Sequence, residues 1–299
     1  MFQVINDHIS MIFTEQGFTF SNCMIIDDEV RTAIDSGAGK IMKSIDPASV
    51  DILLISHHHI DHINGNDYFT RAKILAHPLE KEAMSDPMKT TATWGWGELM
   101  DEDIMQYAEN LTGKMKRVLE PWPVHGTFND RDVFDCGKTK VMVIHTPGHT
   151  SGHCSFYFPD EEFMFTGDIC LSRVGPWYGE PDTTIDEFTA SVDLIDGFKP
   201  KKLATGHVNT IITENIHDIL MEYKERIYKR EKRIINFLKK GPATINAMAQ
   251  RKLIYGLHPT TFVLFWEKSM LKKHLDRLID MGTVKKDEAD KYYLTSSRG

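Results

Sequence analysis

The chain has 299 residues, 41% hydrophobic, 10% aromatic and 26% charged, with a formal net charge of −8. This is enough apolar material for one substantial core plus a small second domain, and it excludes a disordered chain. The stretch Met1-Phe2-Gln3-Val4-Ile5-Asn6-Asp7-His8 lacks the basic region and apolar run of a signal peptide, and no segment approaches the roughly 20 apolar residues that span a bilayer. The expectation is a soluble, cytoplasmic protein without a membrane partner.

In chain order, Gly17 to Asp27 and Val30 to Ile34 read as β-strands, the second stopping at the turn signal Asp35-Ser36-Gly37, which suggests an antiparallel opening. Val50 to Ile55 is nearly continuous in apolar residues, as expected of a strand buried on both faces, and it runs directly into Ser56-His57-His58-His59. Further short strands are predicted at Lys73 to Ala76, Lys140 to His145, Ser155 to Phe158, Glu162 to Phe165 and Lys202 to Ala204. Helices are expected at Asn64 to Phe69, Pro78 to Met84 and Thr184 to Gly197, giving a layered α/β core. Residues 85–128, with Trp94-Gly95-Trp96-Gly97 and Pro121-Trp122-Pro123, break the strand rhythm and read as an insertion, either a pocket lining or a lid packed on the core.

After Glu214 the pattern turns helical: Ile216 to Lys240, Thr244 to Lys252 and Phe262 to Asp280 precede a hairpin formed from residues 282–286 and 290–294. Three helices and a small hairpin have a winged-helix outline. The charge changes at the same place. Residues 1–214 hold 17 Lys/Arg and 33 Asp/Glu, a net of −16, whereas residues 215–299 hold 18 and 10, a net of +8. The expected organisation is a catalytic domain over 1–214 and a winged-helix-like C-terminal domain over 215–299. Cys23, Cys136, Cys154 and Cys170 form no CxxC pair, so neither a disulfide framework nor a thiolate zinc knot is expected.

The chemistry-bearing residues lie in four places. In His57-His58-His59-Ile60-Asp61-His62, alternation along an extended chain puts His57 and His59 on one side, and the next turn brings Asp61 and His62 to a neighbouring position. The others are Pro147-Gly148-His149-Thr150, Thr166-Gly167-Asp168 and Thr205-Gly206-His207, each following a predicted strand, with a glycine beside the candidate ligand to let the backbone turn and approach closely. Neutral imidazoles and carboxylates without a cysteine suit an open catalytic site for zinc or another borderline divalent ion. His8, His58, His77, His125, His145, His217, His258 and His274 read instead as ordinary surface or core histidines. His153, Trp177 and Tyr178 are candidates for contacting substrate, with His153 equally suited to supporting a ligand.

The ordered set HxHxDH, PGHT, TGD and GH resembles the motif set of the metallo-β-lactamase-fold hydrolases over roughly residues 1–214. The resemblance implies a four-layer αββα sandwich with metals at its edge. It further implies that His57, His59 and His149 hold one ion, that Asp61, His62 and His207 hold a second, and that Asp168 bridges them. Two divalent ions, zinc first with iron or manganese as alternatives, then supply a bridging hydroxide, with Asp61 orienting it as a catalytic residue.

Within that superfamily, His59 stands where flavodiiron proteins carry a carboxylate, and Asp168 stands where the classical zinc β-lactamases carry a cysteine. The aspartate is shared with glyoxalase II and related thioesterases and lactonases. The basic tail resembles the winged-helix extension of glyoxalase II-related β-lactamase-like proteins, some of which are endoribonucleases. The favoured reading is a binuclear hydrolase of a small ester, thioester or lactone. Its rivals are a single-strand endoribonuclease or phosphodiesterase and a mono-iron persulfide dioxygenase. The expected partner is a small-molecule substrate, and the basic tail is read as docking on its own acidic domain or on a second subunit in a homo-oligomer, ahead of nucleic acid.

Overall fold

The computed structural model describes residues 1–14, 19–86 and 120–295, with residues 89, 99, 102 and 106 described singly. The first sheet has seven strands in chain order: β1 (Phe2–Val4), β2 (Ile9–Ile12), β3 (Cys23–Ile26), β4 (Thr32–Ile34), β5 (Ile52–Leu54), β6 (Lys73–Ala76) and β7 (Gly126–Thr127). The pairs from β1 to β4 are antiparallel and those from β4 to β7 are parallel. The second sheet has the order β12 (Lys202–Ala204), β11 (Phe163–Phe165), β10 (Cys154–Phe158), β9 (Lys140–His145) and β8 (Val133–Asp135), with only β11 and β12 parallel.

Period-two alternation explains why these strands form two stacked sheets. Met24, Ile26, Ile34 and Leu54 of the first sheet meet Val141, Val143, Phe156, Phe158, Phe163, Phe165 and Ala204 of the second in one buried cluster. The intervening residues Cys23, Ile25, Ala33 and Leu53 face outward, where Met42, Ile45, Ile63 and Met84 cover them. Those come from the 3-10 helix Gly39–Ile45, α1 (Ile60–Ile63) and α2 (Pro78–Ser85). On the opposite side Met164 and Leu203 pack under α3 (Ile185–Gly197) and α4 (Ile216–Leu238). Helices therefore cover both outer sheet faces, as the expected αββα sandwich requires.

The predicted strands from β3 onward reappear with ends shifted by a few residues, and β5 is buried between two parallel neighbours as its apolar run implied. The short strands β1, β2, β7 and β8 are additions that the sequence reading did not make. The helix expected at Asn64 to Phe69 is instead α1 followed by a 3-10 turn, Asn66–Tyr68. In the expected insertion, Trp94 and Trp96 lie outside the described residues. Its C-terminal part is core material: Trp122 is buried against the first sheet's outer cluster and β7 completes that sheet.

Beyond α4 come α5 (Ile245–Ala249), α6 (Thr261–Asp280) and the antiparallel hairpin β13 (Val284–Lys286) with β14 (Tyr292–Leu294). These residues do not enclose a separate apolar interior. Phe188, Val192 and Ile195 of α3 share one cluster with Leu220, Tyr223 and Ile227 of α4 and with Met270, Leu271 and Leu275 of α6. Arg277 of α6 ties the seam with charge, its Nε 2.8 Å from Asp186 Oδ1 and its Nη1 2.9 Å from Glu231 Oε2. Among the described residues no helix is long and apolar enough to cross a membrane.

Ile227 is fully buried in this shared cluster. Ile227→Ala is expected to lower unfolding stability by about 2–5 kcal/mol, and the loss should appear in the single transition of the whole chain in a urea titration. Separate melting of the two segments, with only one of them shifted, would contradict the shared core.

Candidate metal centre

The candidate ligands converge because parallel strands deliver them to one edge of the sandwich. β5 leads into Ser56-His57, β11 leads into Asp168 and β12 leads into His207. Backbone bonds close the edge: Cys154 N donates to Ser56 O at 3.0 Å and Asn22 N donates to Gly206 O at 2.7 Å. His59 keeps an extended backbone, with φ −61° and ψ 140°, and α1 begins immediately after it, turning Asp61 and His62 towards the second strand group.

Two donor sets result: His57, His59, His149 and Asp168 form one, and Asp61, His62 and His207 the other, the donor atoms within each set lying inside 4.8 Å of one another. In the first, His149 Nε2 lies 3.2 Å from His57 Nε2 and 2.9 Å from His59 Nδ1. In the second, His207 Nε2 is 3.3 Å from Asp61 Oδ2 and 3.2 Å from Asp168 Oδ1, and His62 Nε2 is 3.1 Å from Asp168 Oδ1. The other Asp168 oxygen, Oδ2, is 3.3 Å from His149 Nε2, so one carboxylate reaches both sets.

Four of the five imidazoles are turned by an acceptor outside the cluster. His59 Nε2 donates to Glu180 Oε1 at 2.8 Å, His149 Nδ1 donates to Trp177 O at 3.1 Å, and His62 Nδ1 donates to Asp35 Oδ2 at 2.8 Å. Ser56 Oγ donates to Asp35 Oδ2 at 2.7 Å and accepts from His57 Nδ1 at 3.0 Å. A carboxylate or carbonyl only accepts, so these partners take the N–H and leave His57 Nε2, His59 Nδ1 and His149 Nε2 as bare lone pairs facing one another. Lone pairs that converge this way repel one another unless a cation lies between them. His62 Nε2 and Asp168 Oδ1 are buried and, despite their closeness, have no hydrogen-bond partner. The donor set therefore fits divalent metal ions.

The charges agree with that fit. Burial, reinforced by the neighbouring histidines His62, His59 and His149, holds His57 well below the ordinary imidazole value, and burial likewise lowers His149 against the pull of Asp168. Both are thus neutral donors. In the second set burial is overcome by carboxylates: Asp168, Asp35 and Asp61 hold His62 up at about 10. This corner of the site therefore attracts positive charge. Asp61 and Asp168 are held below the ordinary carboxylate range although burial opposes it, Asp61 chiefly by His62 and Asp168 chiefly by His207.

Glycine makes room for this convergence. A Cβ on Gly206 would lie 2.7 Å from Asp168 Oδ1 and 2.9 Å from His62 Cε1. Gly148 has φ +121°, and a Cβ there would meet the Phe188 backbone at 2.4 Å.

The three expected substrate contacts separate. Trp177 flanks the site, its ring centroid 5.4 Å from that of His59 and 5.3 Å from that of His149. His153 is fully buried behind Asp168: its Nδ1 donates to Thr146 O at 3.0 Å and its Nε2 accepts from Asp168 N at 3.0 Å. Burial lowers it to about 4, so it is a neutral prop of the Asp168 loop and not a substrate contact. Tyr178 is also fully buried, its hydroxyl 2.9 Å from His274 Nε2, because the chain turns it into the core shared with α6.

Three acidic residues escaped the sequence reading: Asp35, Glu80 and Glu180. Asp35, at φ 58°, is a buried non-glycine residue in left-handed conformation, held there by Ser56 and His62. Glu80 and Glu180 flank the buried His58, at 2.6 Å and 3.4 Å. Although burial opposes charge, the two carboxylates hold His58 at about 10, so it is an imidazolium that neutralises the acids behind His59. The isolated carboxylates lack the spacing signature of the histidines; Asp35 alone had a local cue, the Asp-Ser-Gly turn after a core strand.

Glu180 itself is positioned from the C-terminal segment. Lys273 Nζ of α6 donates to Pro181 O at 2.9 Å and to Thr183 O at 2.5 Å, while buried Arg230 of α4 donates to Pro176 O at 2.6 Å and Val174 O at 3.1 Å. The loop that orients His59 and His149 is thus fastened by α4 and α6.

The family model described as the metallo-beta-lactamase superfamily matches residues 17–207. The acyl-coenzyme A thioesterase MBLAC2 of Homo sapiens is 27% identical over 181 residues, 58% of this chain and 61% of that protein. A hydroxyacylglutathione hydrolase of Brucella anthropi is 28% identical over 124 residues, 42% of this chain and 35% of that protein. The chain thus spans less than two thirds of the length of either relative. Among solved structures, a metallo-beta-lactamase family protein from Thermus thermophilus superposes with a TM-score of 0.74 at 18% identity, covering 98% of this chain and 100% of that one. A beta-lactamase domain protein from Burkholderia ambifaria gives 0.76 at 14% identity, over 98% and 93%. These two likenesses concern the fold alone, and they run through α4 to β14.

Asp35→Asn and Glu180→Gln are each expected to weaken metal binding by about 10–100-fold in a chelator competition, because each loosens a ring that presents a lone pair. Gly206→Ala should lower metal content more than either while the secondary structure by circular dichroism stays intact. Undiminished metal affinity in all three variants would sink the donor assignment.

Proposed function

The chain belongs to the metallo-beta-lactamase superfamily, and we propose that it is a metal-dependent hydrolase of a small ester, thioester or lactone that works with two divalent ions. The observation that carries this reading is the Asp168 carboxylate, with Oδ1 directed at His62 and His207 and Oδ2 at His149. One relative is by name a thioesterase of acyl-coenzyme A and another a hydrolase of hydroxyacylglutathione, which puts thioesters first within the class.

His57 Nε2, His59 Nδ1 and His149 Nε2 would hold one ion, Asp61, His62 and His207 the other, and Asp168 would join both. When bound, such a pair supplies a Lewis acid for the carbonyl oxygen and a water acidified to a pKa of about 7 as the nucleophile. Nitrogen and oxygen donors without sulfur suit zinc, with iron or manganese as alternatives.

The chain's own residues do the rest. Side chains of His59, Asp61 and His207 are 15%, 15% and 11% exposed, so they form the mouth through which a substrate arrives. Asp61, held as a carboxylate, would accept a hydrogen bond from the nucleophilic water and orient it. The Trp177 ring limits access of bulk water on the His59 and His149 side. His153 keeps the Asp168 loop in register without itself carrying a proton to the substrate.

Metal analysis of the purified chain should give about two ions, and a panel of acetyl-coenzyme A, a hydroxyacylglutathione, a lactone, a phosphodiester and RNA should show hydrolysis of the first group. Asp168→Ala should lower both metal content and turnover, the latter at least ~100-fold given the several kcal/mol that metal catalysis contributes. One iron per chain with dioxygen consumption and no hydrolysis would overturn the reading in favour of a dioxygenase.

A further inference from the structure

The face of α4 that meets the loop at residues 174–178 carries four cations. Arg226, Lys229, Arg230 and Arg233 line a cavity of about 340 Å³ whose remaining walls are Val174 and Ile254. At these spacings every cation has like-charged neighbours three or four residues away, an arrangement that destabilises a helix by itself.

Two of the four are occupied by the protein. Arg226 donates to Ser172 O at 3.0 Å, to Arg173 O at 3.1 Å and to Glu222 Oε1 at 3.1 Å. Arg230, only 2% exposed, is spent on the carbonyls of Val174 and Pro176 and on the Tyr178 hydroxyl. Lys229 and Arg233 have no ion-pair or hydrogen-bond partner for their side chains among the described residues. Burial, and then the like charge of Arg230, push the Arg233 guanidinium down, and Glu267 and Tyr178 offset this only in part, so a further anion beside it would be favoured. No carboxylate is among the lining residues.

We infer that this cavity binds the compact polyphosphate group of a small molecule. Guanidinium forks match phosphate oxygens in geometry, and apolar walls such as Val174 and Ile254 strengthen the field between them. A compact, open cavity lined by four cations matches the size of a diphosphate; a nucleic-acid strand needs an extended groove with aromatic platforms, and no aromatic residue lines this cavity. The cavity is also joined to the metal centre. Arg230 holds the carbonyls of Val174 and Pro176, and the next carbonyl, that of Trp177, orients His149. The polyphosphate is therefore either the remote end of the hydrolysed substrate or a separate effector acting through this loop.

The test is calorimetric titration of the metal-loaded full chain with pyrophosphate, beside the variant Lys229→Ala/Arg233→Ala, whose substituted side chains make no hydrogen bond or ion pair among the described residues. The expected result is saturable binding by the wild type, weakened at least tenfold in the variant, with metal content and thermal unfolding unchanged. Equal binding by both proteins would place the anion on the metals and overturn the inference, as would absence of saturable binding or tighter binding of an oligoribonucleotide at the same residues. Kinetics then separates the two sources. A larger rise in KM for acetyl-coenzyme A than for an unphosphorylated thioester assigns the phosphates to the substrate, and a change in kcat for the unphosphorylated thioester on adding pyrophosphate assigns an effector. Calorimetry needs no turnover, so failure of the hydrolase reading and failure of this one are distinguishable.

Discussion

Everything in this structure depends on holding five imidazoles with one nitrogen of each turned towards two neighbouring points around one carboxylate, those of His57, His59 and His149 as bare lone pairs facing one another. Such an arrangement is unfavourable in itself, since lone pairs repel and buried nitrogens forgo water. It persists because every ring has its other nitrogen or its neighbouring loop committed to a fixed partner. Asp35 takes the His62 N–H, Glu180 takes that of His59, and Trp177 O takes that of His149. Remove those acceptors and the rings are free to rotate the lone pairs away.

Those acceptors impose their own constraint, because buried carboxylates need compensation. His58 supplies it between Glu80 and Glu180, and Ser56 shares its N–H and hydroxyl with Asp35. Glu80 also accepts from Thr150 Oγ1 at 2.5 Å and from Gly152 N at 2.9 Å, so the same acid fixes the loop that carries His149. The histidine that lies between two ligands in sequence is thus structural, and its charge balances the acids on which the ligands lean.

The basic C-terminal residues acquire a meaning that net charge alone did not suggest. Their apolar face continues the core of the second sheet, while Lys273 and Arg230 clasp the carbonyls of the loop carrying Trp177 and Glu180. The acidic and basic halves of the chain meet in specific contacts such as that of Arg277 with Asp186. Four of the cations lie on one stripe of α4, and there they line a cavity.

The sequence by itself determined the layered α/β core and the four places that carry the seven candidate donors. Period-two alternation and continuous apolar runs are local consequences of burial, and a ligand on a turn after a core strand needs only its own neighbours to be recognised. Hence β5, β9, β11 and β12 and the motifs after them were legible, as were α4, α6 and the final hairpin. What only tertiary structure decided was the orientation of the rings and the fate of residues whose partners are distant in the chain. Asp35 lies 27 positions from His62, Glu180 lies 121 from His59, and Tyr178 lies 96 from His274. No periodicity encodes such pairs, because a hydrogen bond closed by packing depends on which elements come to lie side by side. For that reason Tyr178 read as a substrate contact in sequence, and His153 as either a substrate contact or the support of a ligand, yet each is buried with its polar atoms already bonded.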